Sequence, residues 1–517
     1  MKTQFLTRFT ALAVALAVVS GCQTIPKAKT EPLVAQPNLP IDRPFDTLDN
    51  NTVSRENLAS IANQRWQDFY TDPKLKQLIA TGLENNKDIG AAVLAIQRAR
   101  AQYQISDIAN VPTIGATGSR NRSGDFSGNA VNGYKVGLAS SAYELDFWGK
   151  VTSEREAALQ SYLASGANKD TAQISLISAI AESYVAYSYN LAQLQLAEHT
   201  RDVRKEALRI NKLRFQAGLD SELSFVQAQT ALESANLAIA NAKTSAQQNL
   251  NALRFLVGVP VSNNLLPKSS IDTITNTKIF STGLPSDLLR YRPDIRAAEY
   301  QLKAAGANID VARAAFYPTI SLSGNIGASS TSLGNLFKTG AMAWGIGPSV
   351  SLPIFDAGAR KANYEISEIA QQQALNNYEK SIQTAFKEVA DVFATRMTLA
   401  EQQRAYASML EASNKNYNIA NARFKAGLDN YLGVLDAQKS QFESQQSLLN
   451  IRQKQLNSQI ELYKALGGGV NFDVPLDLPR TVPHENLSDK ISRGVNNVQE
   501  KLAHGEPVVT PVPANTP

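Results

Sequence analysis

The sequence contains an internal duplication, and this duplication constrains its fold more than any other feature. The segment RFQAGLDSELSFVQAQ begins at Arg214, and RFKAGLDNYLGVLDAQ begins 209 residues later at Arg423, with nine of sixteen positions identical. Repeats of solenoid proteins have periods of about 20 to 50 residues. The spacing therefore predicts two structurally equivalent halves, 61–258 and 287–467, connected by an inter-repeat segment at 259–286.

Each copy contains two short segments in which apolar residues alternate with small or polar ones. A period of two predicts strands, and the expected bounds are about 113–121, 133–146, 319–330 and 343–355. One apolar and one small, polar face is typical of a transmembrane barrel strand. A half-buried hairpin of a water-soluble protein alternates in the same way. The alternation by itself leaves both interpretations open.

A long helical pattern follows the strands in each copy. Ala359 to Ala426 contain neither Gly nor Pro, and Lys150 to Ala217 contain only Gly166. At about 1.5 Å per residue, each helix would be roughly 100 Å long. Glycine after the last periodic residue is a common helix C-cap, so each long helix should end at an AGLD segment. The expected long helices are 149–217 and 358–426, and the expected return helices are 220–257 and 429–466.

The number of strands bears on assembly. Two strands in each of two copies give four strands per chain. Membrane-spanning barrels begin at about eight strands, because an open sheet edge cannot be left in hydrocarbon. One chain therefore cannot close a pore, whereas three chains would supply twelve strands.

The N-terminus is typical of an export signal, with Lys2 and Arg8 before an apolar stretch that is too short to span a bilayer. The stretch ends in Val19-Ser20-Gly21-Cys22, which resembles the lipobox of bacterial lipoproteins, and Cys22 is the only cysteine of the chain. We therefore expect a signal peptide at 1–21 and a lipidated tether at 22–60, with diacylglycerol and an acyl chain such as palmitate on Cys22. An incidental small residue near an ordinary cleavage site is the alternative for Cys22.

Composition excludes several classes of function. No run of eighteen or more apolar residues exists beyond the signal, which excludes a helical transporter. The formal charge of +5 is small and dispersed, so nucleic acid is not an expected partner. Of the three histidines, His199 lies in a long helix pattern and His484 and His504 lie in the polar C-terminal tail. We expect no catalytic residue, no metal site, no cofactor besides the lipid and therefore no enzyme.

Several motifs in this order resemble the outer-membrane factor family of tripartite export systems, the TolC-like channels, and especially the lipidated OprM-like branch. They are the lipobox at Cys22, YELDFWGK from Tyr143, YPTISLSG from Tyr317, LPIFDAG from Leu352 and the paired RFxAGLD segments. The resemblance implies an α+β membrane protein with duplicated halves. Its homotrimer would form a twelve-stranded outer-membrane barrel that continues as a helical barrel in the periplasm of a Gram-negative bacterium.

The resemblance further implies a mixed equatorial domain, to which 259–286 and 468–517 contribute before the flexible tail. The partners implied are outer-membrane lipid, a periplasmic adaptor and an inner-membrane proton-driven transporter of the RND type. The function implied is multidrug efflux. Heavy-metal cation efflux, an exit duct for type I protein secretion and a non-channel coiled-coil scaffold of the envelope are alternatives.

The positions that match the family's periplasmic constriction are Leu432 and Asp436, which are four residues apart and share a helix face. In a trimer they would form an apolar ring and a ring of three carboxylates. An ordinary solvated helix acid is the alternative for Asp436. The segments expected to contact the adaptor are the two helix tips, where simple capping of a hairpin is the alternative. The tip candidates are Arg214, Gly218, Leu219, Asp220, Arg423, Gly427, Leu428 and Asp429.

Overall fold

A computed structural model describes residues 64–269, 273–275 and 291–469 of the chain. The signal peptide, Cys22, the tether, half of the inter-repeat segment and nearly all of the C-terminal segment lie outside the described residues. Among the described helices, none is both long and apolar enough to cross a membrane.

The two repeats have the same order of elements. The first begins with two short helices, and each repeat then has a helix, a strand pair, a long helix and a return helix. The first-repeat elements are α1 (Trp66–Phe69), α2 (Pro73–Asn85), α3 (Lys87–Ile108), β1 (Ile114–Gly124), β2 (Ala130–Glu144), α4 (Lys150–Gln216) and α5 (Glu222–Val257). The second-repeat elements are α6 (Pro293–Ala314), β3 (Thr319–Ser330), β4 (Met342–Ser351), α7 (Ala359–Lys425) and α8 (Tyr431–Ala465).

The strands form one antiparallel sheet in the order β1-β2-β3-β4. β1 extends three residues beyond its expected end, because its pairing with β2 continues to Gly124↔Ala130 although the apolar pattern stops earlier. β4 ends at Ser351, before the expected 355, because Pro353 cannot donate a backbone hydrogen bond. A bulge in β2 between Ser140 and Tyr143 shifts its register against β3.

The long helices α4 and α7 have 67 residues each. Alanine and polar residues dominate them, so their packing depends on narrow buried seams with close backbone approach. One seam of α7 is buried at Ile382, Ala385, Val389, Val392 and Leu399.

The main hydrophobic core lies where α1 and α2 pack against the middle of α4 and the C-terminal turns of α5 and α8. Phe69 stacks on Tyr463 with the ring centroids 3.9 Å apart. Tyr463 Oη donates to the Gln64 carbonyl at 2.6 Å, and Tyr184 Oη donates to Asp72 Oδ2 at 2.7 Å. This core joins both repeats at the level where the return helices end, part-way along the long helices.

Candidate functional site

The sheet has one apolar face and one face of small, polar residues. The register Leu138↔Ile326↔Trp344 places three large apolar side chains side by side on three strands. On the opposite face, Ser321 Oγ and Ser349 Oγ lie 2.8 Å apart. The apolar face is exposed, and Trp344 retains 75% of its accessible surface. The exposed large residues of this face are Ile114, Val136, Leu138, Leu322, Ile326, Met342, Trp344, Ile346 and Val350.

The sheet also has two free edges. Among the described strands, β1 pairs only with β2, and β4 pairs only with β3. Each edge strand therefore presents unpaired backbone N–H and C=O groups, which cost several kcal/mol each when they are exposed to lipid. An apolar-faced sheet with open edges is complete only when further strands close it.

At the far end of the long helices, the two AGLD segments form the same turn. Gly218 and Gly427 have positive φ angles of 70° and 73°. Leu219 N–H donates to the Arg214 carbonyl at 2.8 Å, and Leu428 N–H donates to the Arg423 carbonyl at 2.9 Å. Together with the Gly218 to Phe215 and Gly427 to Phe424 bonds, this is the Schellman motif, which satisfies the last carbonyls of a helix.

The Schellman leucine normally packs against an apolar residue in the last helical turn. That position is arginine in both copies, and Leu219 and Leu428 remain 70% and 68% exposed. Each tip therefore presents a leucine that its own hairpin does not cover.

An arginine and an aspartate form an ion pair at each tip. Arg423 Nε lies 2.5 Å from Asp429 Oδ2, and this hydrogen bond holds the pKa of the Asp429 carboxyl below its usual value. Arg214 Nε lies 3.5 Å from Asp220 Oδ2. The Arg214 guanidinium also lies 5.0 Å from the centroid of the Phe424 ring, which connects the tip of the first repeat to that of the second. The structure thus brings the eight tip candidates together at one end of the subunit.

Leu432 and Asp436 lie on the exposed side of α8, one turn apart, with Leu432 45% exposed. The opposite side of the same turns is buried at Tyr431, Val434 and Ala437. Asp436 makes no ion pair with any residue that the structure describes. The side chains are therefore available to other molecules, and their role in a constriction stays a prediction.

Behind this face lies a groove of about 380 Å³ between α4, α7 and α8. Three buried oxygens that line it have no hydrogen-bond partner within the described part of the chain, namely Asn211 Oδ1, Tyr431 Oη and Gln438 Oε1. The nearby Arg204 donates to the Ala231 carbonyl at 2.8 Å, and burial lowers the pKa of its guanidinium. The start of α8 thus packs beside α4 through apolar side chains such as Tyr431 and Val434, while three buried polar atoms near this packing are unsatisfied among the described residues. Sequence reasoning missed this groove, because it depends on three helices.

Two aspartates that were not predicted as functional residues, Asp146 and Asp356, lie just before the N-cap glycines of the long helices. Asp146 accepts hydrogen bonds from the backbone N–H groups of Val151 and Thr152 at 3.2 and 2.9 Å. Asp356 accepts from Arg360 N–H at 3.2 Å. Both lie in motifs quoted above, YELDFWGK and LPIFDAG, and their carboxylates satisfy backbone N–H groups in the first turn of a helix whose N-cap glycine has no side chain to do so.

Comparison with known proteins identifies the family. The model of the family described as "Outer membrane efflux protein" matches residues 78–259 and 284–468, which correspond to the two repeats. The toluene efflux pump outer membrane protein TtgC of Pseudomonas putida is 38% identical over 468 residues, covering 89% of this chain and 95% of that protein. The cation efflux system protein CusC of Escherichia coli is 37% identical over 461 residues, covering 88% and 98%.

Solved structures agree with this match. The open state of the Neisseria gonorrhoeae MtrE outer membrane channel superimposes with a TM-score of 0.76 at 35% identity, covering 86% of this chain and 98% of that chain. A CusC structure gives a TM-score of 0.75 at 35% identity, covering 86% and 100%. The expected α+β fold with duplicated halves is confirmed, and the apolar face of the sheet is the lipid-facing side of an outer-membrane channel. The chain belongs to the outer membrane efflux protein family, as an efflux channel of the Gram-negative outer membrane that extends into the periplasm.

Proposed function

We propose that three copies of this chain close a twelve-stranded barrel and a helical tunnel, which together form the passive exit duct of a tripartite efflux pump. The observation that carries the proposal is the lipid-facing four-stranded sheet with two open edges. Hydrocarbon does not tolerate such edges, so β1 of one subunit has to pair with β4 of the next. The duct conducts without catalysis.

The helices support the same assembly. Among the described residues of the subunit, α6 packs against both long helices, α4 and α7, whereas α3 packs closely against one long helix, α4. α3 and α6 are equivalent helices of the two repeats. α6 contacts the long helix of its own repeat and the long helix of the preceding repeat, whereas α3 contacts that of its own repeat. The neighbour that α3 lacks is therefore the long helix of a preceding repeat. That helix is α7 of an adjacent subunit, so the same packing repeated around three subunits encloses a tunnel.

Leu432 and Asp436 form the constriction of this tunnel in our proposal. Threefold symmetry would bring three Asp436 carboxylates and three Leu432 side chains toward one axis. Like charges that are brought together repel one another, and they attract cations. The leucines exclude water from the narrowest point, and the carboxylates make closure sensitive to cations.

Planar-bilayer conductance of the purified oligomer tests this gate. We expect Asp436→Ala to raise the leak conductance, because it removes the charged ring from the constriction. Glu443→Ala is the matched control, since Glu443 is exposed on the same helix two turns farther from the tip. Unchanged conductance of the Asp436 variant, or an equal rise in the Glu443 variant, would remove Asp436 from the gate.

The tips meet a periplasmic adaptor in this proposal, and the adaptor connects the duct to an inner-membrane RND transporter. The exposed leucines and positive-φ glycines offer a small apolar surface that permits close backbone approach. Relatives named for toluene, antibiotic and cation efflux match this chain at 38%, 38% and 37% identity. Such similarity across substrates is expected if the transporter selects the compound. We propose drugs and other small toxic compounds as the cargo.

We also propose that Cys22 carries the lipid anchor. The anchor would hold the N-terminus at the membrane surface without adding a spanning segment. Metabolic labelling with palmitate should mark the wild-type protein and not Cys22→Ser. Labelling of the serine variant would refute the anchor.

A further inference from the structure

Two arginines lie on the lipid-facing side of the sheet. In β1, Arg120 and Arg122 fall on the same face as Ile114 and Ala116, because side chains two residues apart point the same way. The register continues this face into β2, where Gly118 is opposite Val136 and Arg120 is opposite Tyr134. The opposite, polar face of β1 carries Ser119, Asn121 and Ser123.

The arginines are near the outer end of the barrel. Both hairpin connections, 125–129 and 331–341, are at one end of the sheet, and the helices leave from the other end toward the periplasm. Arg122 is two residues from the end of β1 at Gly124. The Arg120 guanidinium lies 5.7 Å from the centroid of the Tyr134 ring, and tyrosine is typical of the aromatic girdles at a membrane interface.

No described carboxylate pairs with either arginine. The nearest acid in the sequence, Asp125, accepts hydrogen bonds from Ser127 N–H and Asn129 N–H, both at 3.0 Å. The proposed neighbour across the β1 edge, β4 of the next subunit, contains neither Asp nor Glu. The two guanidinium groups therefore face the outer interface of the membrane without a protein counter-ion among the described residues.

We propose that Arg120 and Arg122 bind phosphate groups of a phosphorylated lipid headgroup in the outer leaflet. Arginine binds phosphate through two parallel N–H groups, and the contact of Arg120 with the Tyr134 ring does not use those groups as hydrogen-bond donors. Residues two apart on a strand are about 7 Å apart, so two arginines can engage one headgroup or two adjacent phosphates. Arginine is poorly tolerated at mid-membrane and well tolerated near the interface. The inference rests on the outer-membrane location, and is independent of the gate and the tips.

Native mass spectrometry of the detergent-solubilised oligomer, titrated with a diphosphorylated glycolipid (lipid A) or a zwitterionic phospholipid, tests the site. We expect the wild type to retain the diphosphorylated glycolipid in preference to the zwitterionic phospholipid. Arg120→Gln with Arg122→Gln should weaken that retention about tenfold or more, equivalent to about 1.4 kcal/mol. The double lysine variant, which keeps the charge, should retain an intermediate amount.

Lys135→Gln is the matched control. Lys135 is on β2 opposite Ser119, on the polar face of the sheet, so its loss should leave lipid retention unchanged. The same spectra report the number of subunits, which separates failed assembly from failed lipid binding. Equal retention by the glutamine variant would overturn the proposal. Displacement of the diphosphorylated glycolipid by inorganic phosphate at equal concentration would also overturn the proposal, because the arginines would then bind free phosphate as well as they bind the lipid headgroup.

Discussion

Individual glycines in this chain are required for different physical reasons. Gly218, Gly258 and Gly427 all have φ angles between 70° and 79°, where other residues cost about 1–2 kcal/mol. A Cβ atom at Gly218 or Gly427 would meet nothing within 4 Å, whereas at Gly258 it would lie 2.7 Å from the Asn85 carbonyl oxygen. Gly258 is therefore needed for packing as well as conformation, while the tip glycines leave open space that a partner can occupy.

The open space at the tips predicts a difference between two substitutions. Asn adopts the left-handed conformation more readily than most residues, so Gly427→Asn should keep the turn and most of the export. Gly427→Trp should abolish export by covering the surface proposed for the adaptor. Antibiotic susceptibility of cells that depend on this channel measures export, and an oligomer assay on the same membranes verifies assembly. Normal export by an assembled Trp variant would show that the adaptor does not approach this tip.

At the scale of elements, buried polar atoms are left unsatisfied between α8 and α4 where the gate is proposed. Gln438 is buried with Oε1 unpaired among the described residues, on the side of α8 opposite Asp436. An unsatisfied buried polar group costs about 1–3 kcal/mol. Gln438→Leu should remove that cost, hold α8 more firmly against α4 and lower the frequency of spontaneous opening.

Single-channel recording would measure that opening frequency. Gln229→Leu is the control, because Gln229 is the repeat equivalent of Gln438 and is exposed on α5. An opening frequency that is unchanged by Gln438→Leu, or lowered equally by the control, would show that this contact does not restrain the gate helix.

The sequence predicted the elements well where a local rule determined them. The long helices, the glycines at their ends and the alternating strands are each determined by residues that are close together in the sequence. Their bounds in the structure therefore lie within four residues of the expected ones. The groove behind Tyr431 could not be predicted, because it needs the relative positions of three helices. The extension of β1 beyond residue 121, through Arg122 to Gly124, was missed for a related reason, since backbone pairing with β2 maintains the strand where its apolar pattern ends.

For the whole molecule, comparison of the two repeats shows which surface a neighbouring subunit should cover. Ile108 on α3 is 52% exposed, whereas its repeat equivalent Ala314 on α6 is 6% exposed. Ile366 on α7 is 62% exposed, whereas its equivalent Ala157 on α4 is 8% exposed. α6 covers α4 within the subunit, so α3 of a neighbouring subunit should cover α7 in the same way.

This correspondence predicts how single charges would affect assembly. Ile108→Lys and Ile366→Glu should each prevent a stable trimer, because an unpaired charge buried at the subunit boundary costs about 3–5 kcal/mol. The double variant should recover part of the trimer through the new ion pair. Phe255→Lys is the control, since Phe255 is exposed and its repeat equivalent is already Lys464. Detergent-corrected light scattering gives the subunit number. Trimers that form normally with either single charge would show that α3 and α7 do not meet across the boundary, and the proposed closure of the tunnel would then be wrong.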